Sequence, residues 1–232
     1  MKNPVQHRFK LLAFDMDGTL IDSLAAIVDA SVEAFAGSRF ETPSPAQVRE
    51  VVGLHLELCV EHWAPQASPE EVRELAERYR QAFRGQRARG DQNVRPYDGV
   101  DETLSALTDD EVFMAVVTGK DRRGLDAVLE SHGFNQYFHS LQTPDTNTGK
   151  PAPDMVWSAN TETATKAHDT VVIGDTSFDM EMARNAGAVA VGVTYGNHSE
   201  DRLRQSGAHV LIHSFSDLPA ALAELSHEDY RL

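Results

Sequence analysis

A chain of 232 residues, 41% apolar and 25% charged, has room for one large domain or a domain with an insertion, and its composition is that of an ordinary soluble protein. Its net charge of −15 argues against a nucleic-acid backbone as the main partner but not against a small anionic ligand, whose binding is set by the local field. Cys59 is the only cysteine, which excludes an intrachain disulfide and a cysteine-based metal centre.

Residues 1–10 are polar and the apolar run behind them is too short for a signal peptide or a membrane span, so a cytoplasmic enzyme with no membrane partner is expected. That run, Leu11-Leu12-Ala13-Phe14, leads straight into Asp15-Met16-Asp17-Gly18-Thr19-Leu20. An apolar run ending in two carboxylates predicts a buried strand with a site at its carboxyl end. In extended chain, residues i and i+2 share a face, so Asp15 and Asp17 converge. Like charges that close need a cation or a proton between them. Gly18 permits a tight turn and Thr19 can satisfy local backbone groups, although a strand followed by an Asx-turn accounts for the stretch taken alone.

From Asp22 the period becomes helical, with Leu24, Ile27, Val28, Ser31, Val32 and Phe35 on one face. Ser44-Pro45-Ala46-Gln47 and Ser68-Pro69-Glu70-Glu71 each combine an N-cap serine, proline at the first helical position, and glutamine or glutamate three residues after the cap. The first signal opens a helix carrying Val48, Val51 and Val52 that should stop at Gly53. The second opens a long helix marked by Val72, Leu75, Ala76, Tyr79 and Phe83. No strand is expected from Asp22 to about Arg89, so this block reads as a helical insertion. The polar segment 85–93 should end it, and Arg95-Pro96-Tyr97-Asp98-Gly99 should turn the chain back.

Helix is then expected at 100–107, a buried strand at 112–118, a helix at 125–132 closed by Gly133, a short strand at 140–143, and a threonine-rich helix at 154–165. Strands at 171–173, 189–193 and 210–212 should alternate with helices at 180–186, 201–205 and 218–225. Such alternation implies βαβ units and an α/β fold, a doubly wound parallel sheet with helices on both faces.

In such a sheet the site lies outside the carboxyl ends of the strands. Val116-Val117 ends in Thr118-Gly119-Lys120, a hydroxyl and amides suited to a phosphate oxygen, although a strand–Thr–Gly turn is also common without a ligand. Lys150-Pro151-Ala152-Pro153 holds a lysine between fixed backbone segments, where it can neutralise an anion or simply face solvent. Val171-Val172-Ile173-Gly174-Asp175 ends a strand in an acid, with Asp179 four residues on. Two carboxylates suit a hard cation such as Mg²⁺, or one of them caps the next helix. In the insertion, Gly53-Leu54-His55 sits at a helix end. His55 can meet a substrate or be one of ten ordinary surface histidines, and Trp63, Tyr79 and Phe83 read as apolar core.

Together and in this order, Asp15/Asp17, Thr118, Lys150, and Gly174-Asp175 with Asp179 resemble motifs one to four of the haloacid dehalogenase superfamily across nearly the whole chain. The resemblance implies a Rossmann-like core at 1–21 and 96–232, with a helical cap of the C1 type at 22–95 inserted after the first strand. Asp22-Ser23 and Lys150-Pro151-Ala152-Pro153 look nearest to the phosphoglycolate phosphatase-like group, whereas Gly119 stands where that group often has asparagine and Asp98 where it often has proline.

The activity implied is a Mg²⁺-dependent phosphatase acting on a small phosphate monoester through an aspartyl phosphate. Asp15 would be the nucleophile and Asp17 the acid–base group. The Asp15 carboxylate, the Asp17 main-chain carbonyl and Asp175 would hold the metal, with Asp179 supporting a metal-bound water or Lys150. Thr118, Gly119 and Lys150 would bind phosphoryl oxygens, and Gly53, Leu54 and His55 would read the rest of the substrate. The partner implied is a small phosphorylated metabolite, and the expected assembly is a monomer or weak homodimer. A β-phosphoglucomutase-type phosphomutase would use the same core, but it would place threonine and histidine after the first motif where this chain has Asp22, Ser23 and Leu24. Dehalogenases of the superfamily lack a second aspartate. Receiver-type phosphoaspartate signalling modules are shorter, lack a cap, and place their acid pair before the phospho-acceptor.

Overall fold

Apolar runs of four or five residues are too short for helices and can bury both faces, so they form the interior strands of a parallel sheet. The computed structural model describes residues 8–90, 94–108 and 112–227. β1 (Leu11–Phe14) is followed by the two-residue strand β2 (Ile21–Asp22) and four helices, α1 (Leu24–Phe35), α2 (Pro45–Val51), α3 (Leu56–Trp63) and α4 (Pro69–Arg89). β3 (Arg95–Pro96) pairs antiparallel with β2. Helices and strands then alternate through α5 (Val100–Leu107), β4 (Phe113–Val117), α6 (Arg122–His132), β5 (Ser140–Gln142), α7 (Asp154–Thr163), β6 (Thr170–Gly174), α8 (Ser177–Ala186), β7 (Val189–Val193), α9 (Glu200–Gln205), β8 (Val210–Ile212) and α10 (Leu218–His227).

The main sheet has the order β5-β4-β1-β6-β7-β8 and every pairing in it is parallel. The chain builds outward from β1 to β4 and β5, then returns to the other side of β1 for β6, β7 and β8. β1 and β6 therefore flank the topological switch point, where a doubly wound sheet opens a crevice at its carboxyl edge. Side-chain alternation divides the core between the two faces. Leu12, Phe14, Met114, Val116, Val171 and Ile173 pack with Leu104, Leu125, Leu129 and Leu222 on one face. Leu11, Ala13, Ala115, Val117 and Val172 pack with Met155, Met180 and Ala183 on the other.

The four-helix block has an apolar core of its own, built from Ile27, Phe35, Val48, Val51, Val60, Trp63, Val72 and Leu75. Both serine-proline starts are capping boxes, at Ser44 with Gln47 and at Ser68 with Glu71. Three features differ from the sequence reading. α3 was not expected, because it is a short helix that carries only Cys59, Val60 and Trp63 inward. α4 does not stop at Gly85. Glutamine, arginine and alanine continue it to Arg89, where Gly90 at φ +73° caps it, and residues 91–93 lie outside the described set. β2 and β3 are two-residue strands made by tertiary pairing, which has no local sequence signal. Among the described residues no helix is long and apolar enough to cross a membrane.

Trp63 is 7% exposed, meets the Phe35 ring edge-on at 6.2 Å, and donates through Nε1 to the Gln47 carbonyl at 3.2 Å. Trp63→Ala should cost about 3–5 kcal/mol. The loss should fall on the four-helix block, so hydrogen exchange should rise across α1–α4 while β1 and β6 stay protected. Uniform loss of protection throughout the chain would contradict an independent core in that block.

Candidate active site

β1 and β6 run side by side with Phe14 opposite Ile173, and the Asp15 N–H donates to the Ile173 carbonyl at 2.9 Å. Asp15 and Asp175 thus leave adjacent strand ends at the switch point. Lys150, carried on the loop before α7, places its ammonium against Asp15 Oδ1 and 2.6 Å from Asp179 Oδ1. Asp179 also completes the capping box of α8, where its Oδ2 accepts from the Thr176 N–H at 3.0 Å and the Thr176 hydroxyl at 2.6 Å. It therefore caps a helix and holds the lysine at once. A Cβ on Gly174 would collide with the Asp179 side chain, so this approach requires glycine there. Asp175 accepts from the Thr19 hydroxyl at 2.9 Å and from the main-chain and side-chain N–H groups of Asn197, both at 2.8 Å.

Asp15, Asp175 and Asp179 are all buried and each offers an oxygen within 4.8 Å of the others'. Burial pushes the Asp15 carboxyl well above the usual range, and Asp179 and Asp175 add to this while Lys150 pulls against it. Asp175 is pushed up to about 6 by burial and then by Asp179, against the hydrogen bonds from Asn197 and Thr19. For Lys150, burial works against the charge, but Asp15 and Asp179 outweigh it and hold the ammonium above its ordinary value. One cation among three buried carboxylates leaves an excess of negative charge. Asp15 Oδ2 is buried without a hydrogen-bond partner. An all-oxygen set with an unsatisfied carboxylate oxygen fits a hard divalent cation such as Mg²⁺.

Asp17 has partners of its own. Its Oδ1 accepts from the Ser23 hydroxyl at 2.7 Å, and its Oδ2 lies 3.0 Å from Lys120 Nζ. Thr118, at the end of β4, is buried; its N–H donates to the Gln142 carbonyl and its hydroxyl accepts from the Lys120 N–H at 3.2 Å. Gly119 lies under the insertion, where a Cβ would strike the carbonyl oxygens of Gly53 and Leu54. Glycine in place of a larger residue thus lets the turn after α2 rest directly on the end of β4. His55 is the N-cap residue of α3, and its Nε2 lies 2.8 Å from Glu57 Oε2. Glu57 is lowered to about 2, first by His55 and then by Arg80. Asp15, Asp17, Gly53, Leu54, His55, Thr118 and Gly119 line one cavity of about 110 Å³ between the insertion and the sheet, while Lys150, Asp175 and Asp179 stand behind Asp15.

The family profile of the haloacid dehalogenase-like hydrolases matches residues 12–193. The chain belongs to this family. It is 32% identical over 219 residues to a Dickeya dadantii protein named "Probable phosphatase IndB", covering 91% of this chain and 92% of that one. It is 30% identical over 223 residues to a phosphoglycolate phosphatase of Vibrio parahaemolyticus, covering 94% and 98%. The crystal structure of a hydrolase from Pseudomonas syringae superposes with a TM-score of 0.83 at 24% identity, covering 94% and 99%, and shares the fold. Within the haloacid dehalogenase-like hydrolases this chain is an enzyme of the phosphatase kind.

Several site residues of this hydrolase went unassigned in the sequence. Lys120 follows Thr118-Gly119 directly, and its position at a strand end was the available signal. Thr19 and Ser23 stand beside the first motif, but only the fold shows which carboxylates they serve. Asn197 and His198 follow β7 on the same carboxyl edge. The His198 Nδ1 accepts from the Ser177 N–H at 2.9 Å, and its Nε2 faces the Glu50 carbonyl of α2 at 3.1 Å, which joins the insertion to the core.

The charge excess has a measurable consequence. Asp15→Asn removes one like charge, keeps an oxygen for Lys150, and gives the unpartnered position a neutral group. The metal-free variant should therefore melt no lower than wild type, and Mg²⁺ should raise its melting temperature less. A clear drop in the metal-free melting temperature would show that the three carboxylates do not repel.

Proposed function

We propose that this phosphatase hydrolyses a small phosphate monoester with Mg²⁺ as cofactor, through a covalent phosphoryl group on Asp15. The observation that carries this reading is the buried Asp15–Lys150–Asp179–Asp175 cluster, with Asp15 also lining the cavity. The Asp15 carboxylate attacks phosphorus as the bond to the leaving oxygen breaks with its electron pair, and Asp17 supplies the proton that this oxygen takes up. A water oxygen then attacks phosphorus and gives its proton to Asp17, the bond to Asp15 breaks, and the carboxylate is restored with release of phosphate. Asp15, the Asp17 main-chain carbonyl and Asp175 would hold Mg²⁺, with Asp179 as their support. When bound, the ion neutralises charge on the phosphoryl group and on the crowded carboxylates. Thr118, Gly119 and Lys150 bind the phosphoryl oxygens.

In this reading residues 22–95 act as a cap over a core of 1–21 and 96–232, hinged where β2 and β3 pair, and the Gly53–Leu54–His55 turn reads the leaving group. The cavity suits a small leaving group. Arg80, Arg84 and Arg87 of α4 line it together with Lys120 and Arg123, and Arg87 and Arg123 have no acidic partner among the described residues. These cations favour a leaving group bearing its own negative charge, such as the carboxylate of a phosphoglycolate-like ester, over a neutral sugar. The IndB and Vibrio relatives point to the same class of reaction. A cytoplasmic setting fits a metabolite of this kind.

Asp15→Asn should abolish turnover with the fold intact, and excess chelator should do the same to the wild type. Ca²⁺ should inhibit, because its looser coordination draws Asp15 away from its line of attack. Steady-state assays and circular dichroism test these outcomes, and near-wild-type activity in Asp15→Asn would remove the nucleophile from the reading.

Phosphoglycolate, sugar phosphates, nucleoside monophosphates and a phosphopeptide should be compared, with His55→Ala alongside. The highest kcat/KM is expected for a small ester with an anionic leaving group, and the mutation should change the ranking. Preference for the phosphopeptide would reject the closed-cap reading.

A further inference from the structure

A carboxylate has about four lone-pair positions on its two oxygens, and the neighbours of Asp175 use them unequally. Oδ2 accepts from both the main-chain N–H and the side-chain amide of Asn197, each at 2.8 Å, so both of its positions are taken. Glycine walls the same oxygen in. A Cβ on Gly18, which has φ +93°, would strike Oδ2 and the Asn197 amide, and a Cβ on Gly196 would strike Oδ2 and the Gly18 carbonyl. Among the described residues Oδ1 accepts only the Thr19 hydroxyl, at 2.9 Å, which leaves one position open. A single loop after β7 governs both oxygens. In it the Tyr195 hydroxyl donates to the Thr19 carbonyl at 2.9 Å, Asn197 holds Oδ2, and the His198 N–H donates to the Asp175 carbonyl at 3.2 Å. Asp175 is buried, so its two oxygens cannot exchange places without breaking three hydrogen bonds at once.

We propose that Asn197 sets the metal preference of the site: by occupying Oδ2, it leaves Asp175 only one oxygen, Oδ1, to offer a cation. One oxygen per carboxylate suits Mg²⁺, which is small, demands near-octahedral geometry and keeps several waters. Ca²⁺ takes about six to eight oxygens and gains from carboxylates that bind through both of theirs. A carboxylate with one oxygen withheld is a poorer ligand for Ca²⁺ than for Mg²⁺. The loop after β7 therefore discriminates by the number of donor atoms it releases. Asn197 acts through Asp175 and is a positioning residue. Its main-chain N–H would remain whatever residue other than proline stood there, so the side-chain amide is the part that the sequence chooses. The inference rests on the reading of Asp175 as a Mg²⁺ ligand.

The test is isothermal titration calorimetry of the full chain with Mg²⁺ or Ca²⁺ and no substrate, on wild type, Asn197→Ala, Asn197→Ser, Thr19→Val and Asp175→Asn. Metal-free melting curves confirm that each variant folds. Asn197 is half-buried, and serine keeps a polar group there should alanine loosen the loop. In Asn197→Ala the preference for Mg²⁺ over Ca²⁺, read as the ratio of their dissociation constants, should shrink by about tenfold, the low end of what a group orienting a metal ligand controls. Asn197→Ser should shift the ratio in the same direction. Thr19→Val releases Oδ1 but not Oδ2, so it should weaken both ions and leave their ratio nearly unchanged. If both Asn197 variants weaken the two ions equally, or leave both unchanged, the side chain only supports the loop and the inference is overturned. A shift of the ratio in Thr19→Val as large as in Asn197→Ala would overturn it too, because the two oxygens would then be equivalent. If Asp175→Asn binds Mg²⁺ as tightly as wild type, Asp175 is no ligand, and that part of the proposed function falls together with the inference.

Discussion

Three buried carboxylates share one ammonium, and the surrounding structure is arranged to keep them there. Asp15, Asp175 and Asp179 offer oxygens within 4.8 Å of one another, and Lys150 reaches only the first and last. At that separation each like-charge pair costs about 3 kcal/mol at an effective dielectric of about 20, which the contacts of Lys150 with Asp15 and Asp179 offset and a further cation or a proton would relieve. Fully buried strands on both sides provide the opposing stability. The main-chain bond from Asp15 to Ile173 leaves the acids no room to separate. Such a site is electrostatically hungry by construction, and a divalent cation held there would relieve it.

The same strand order gives the site two unlike halves. Behind Asp15 lie Lys150, Asp179 and Asp175, all buried and all contributed by the stretch from the α7 loop to α8. In front lies the cavity roofed by the helical insertion, with Asp17 turned toward it. The contact between the halves is close: the carbonyls of Gly53 and Leu54 occupy the space a side chain at position 119 would need. A roof that rests on main chain can approach the sheet closely. His198, between α8 and the Glu50 carbonyl, adds a neutral hydrogen-bonded link beside it.

Much of this could be read from the chain because its signals are local. Buried strands show as runs such as Val171-Val172-Ile173, and the capping boxes at Ser44 and Ser68 each fit in four residues. Asp15, Thr118, Lys150 and Asp175 end such runs or follow them, which is why the carboxyl-edge rule found them. What escaped was set by tertiary contact. β2 and β3 exist only because Ile21 meets Pro96, and α3 is too short to show a period. Asp179 was legible as a helix cap or as a support for Lys150, and only the fold shows one side chain doing both with different oxygens. Ser23 stands at the N-cap position of α1, yet its hydroxyl belongs to an acid six residues earlier, a pairing that only the fold reveals.

The placement of positive charge on a chain of net charge −15 follows from similar reasoning. α4 runs for 21 residues, and three of its arginines, at positions 80, 84 and 87, fall on the face that lines the cavity. Near the carboxyl end of a helix such residues also offset the partial negative charge of the unpaired carbonyls, so Arg87 and Arg89 support α4 itself. Glu57 and Asp121 hold Arg80 in place, and Glu77 does the same for Arg84, so these guanidiniums are oriented before any ligand arrives. An acidic molecule would repel a small anion at long range, and in the proposed reaction the cations lining the cavity would offset that repulsion within about a Debye length. On that reading the overall charge would disfavour large polyanions lying across the surface more than an anion small enough to pass inside.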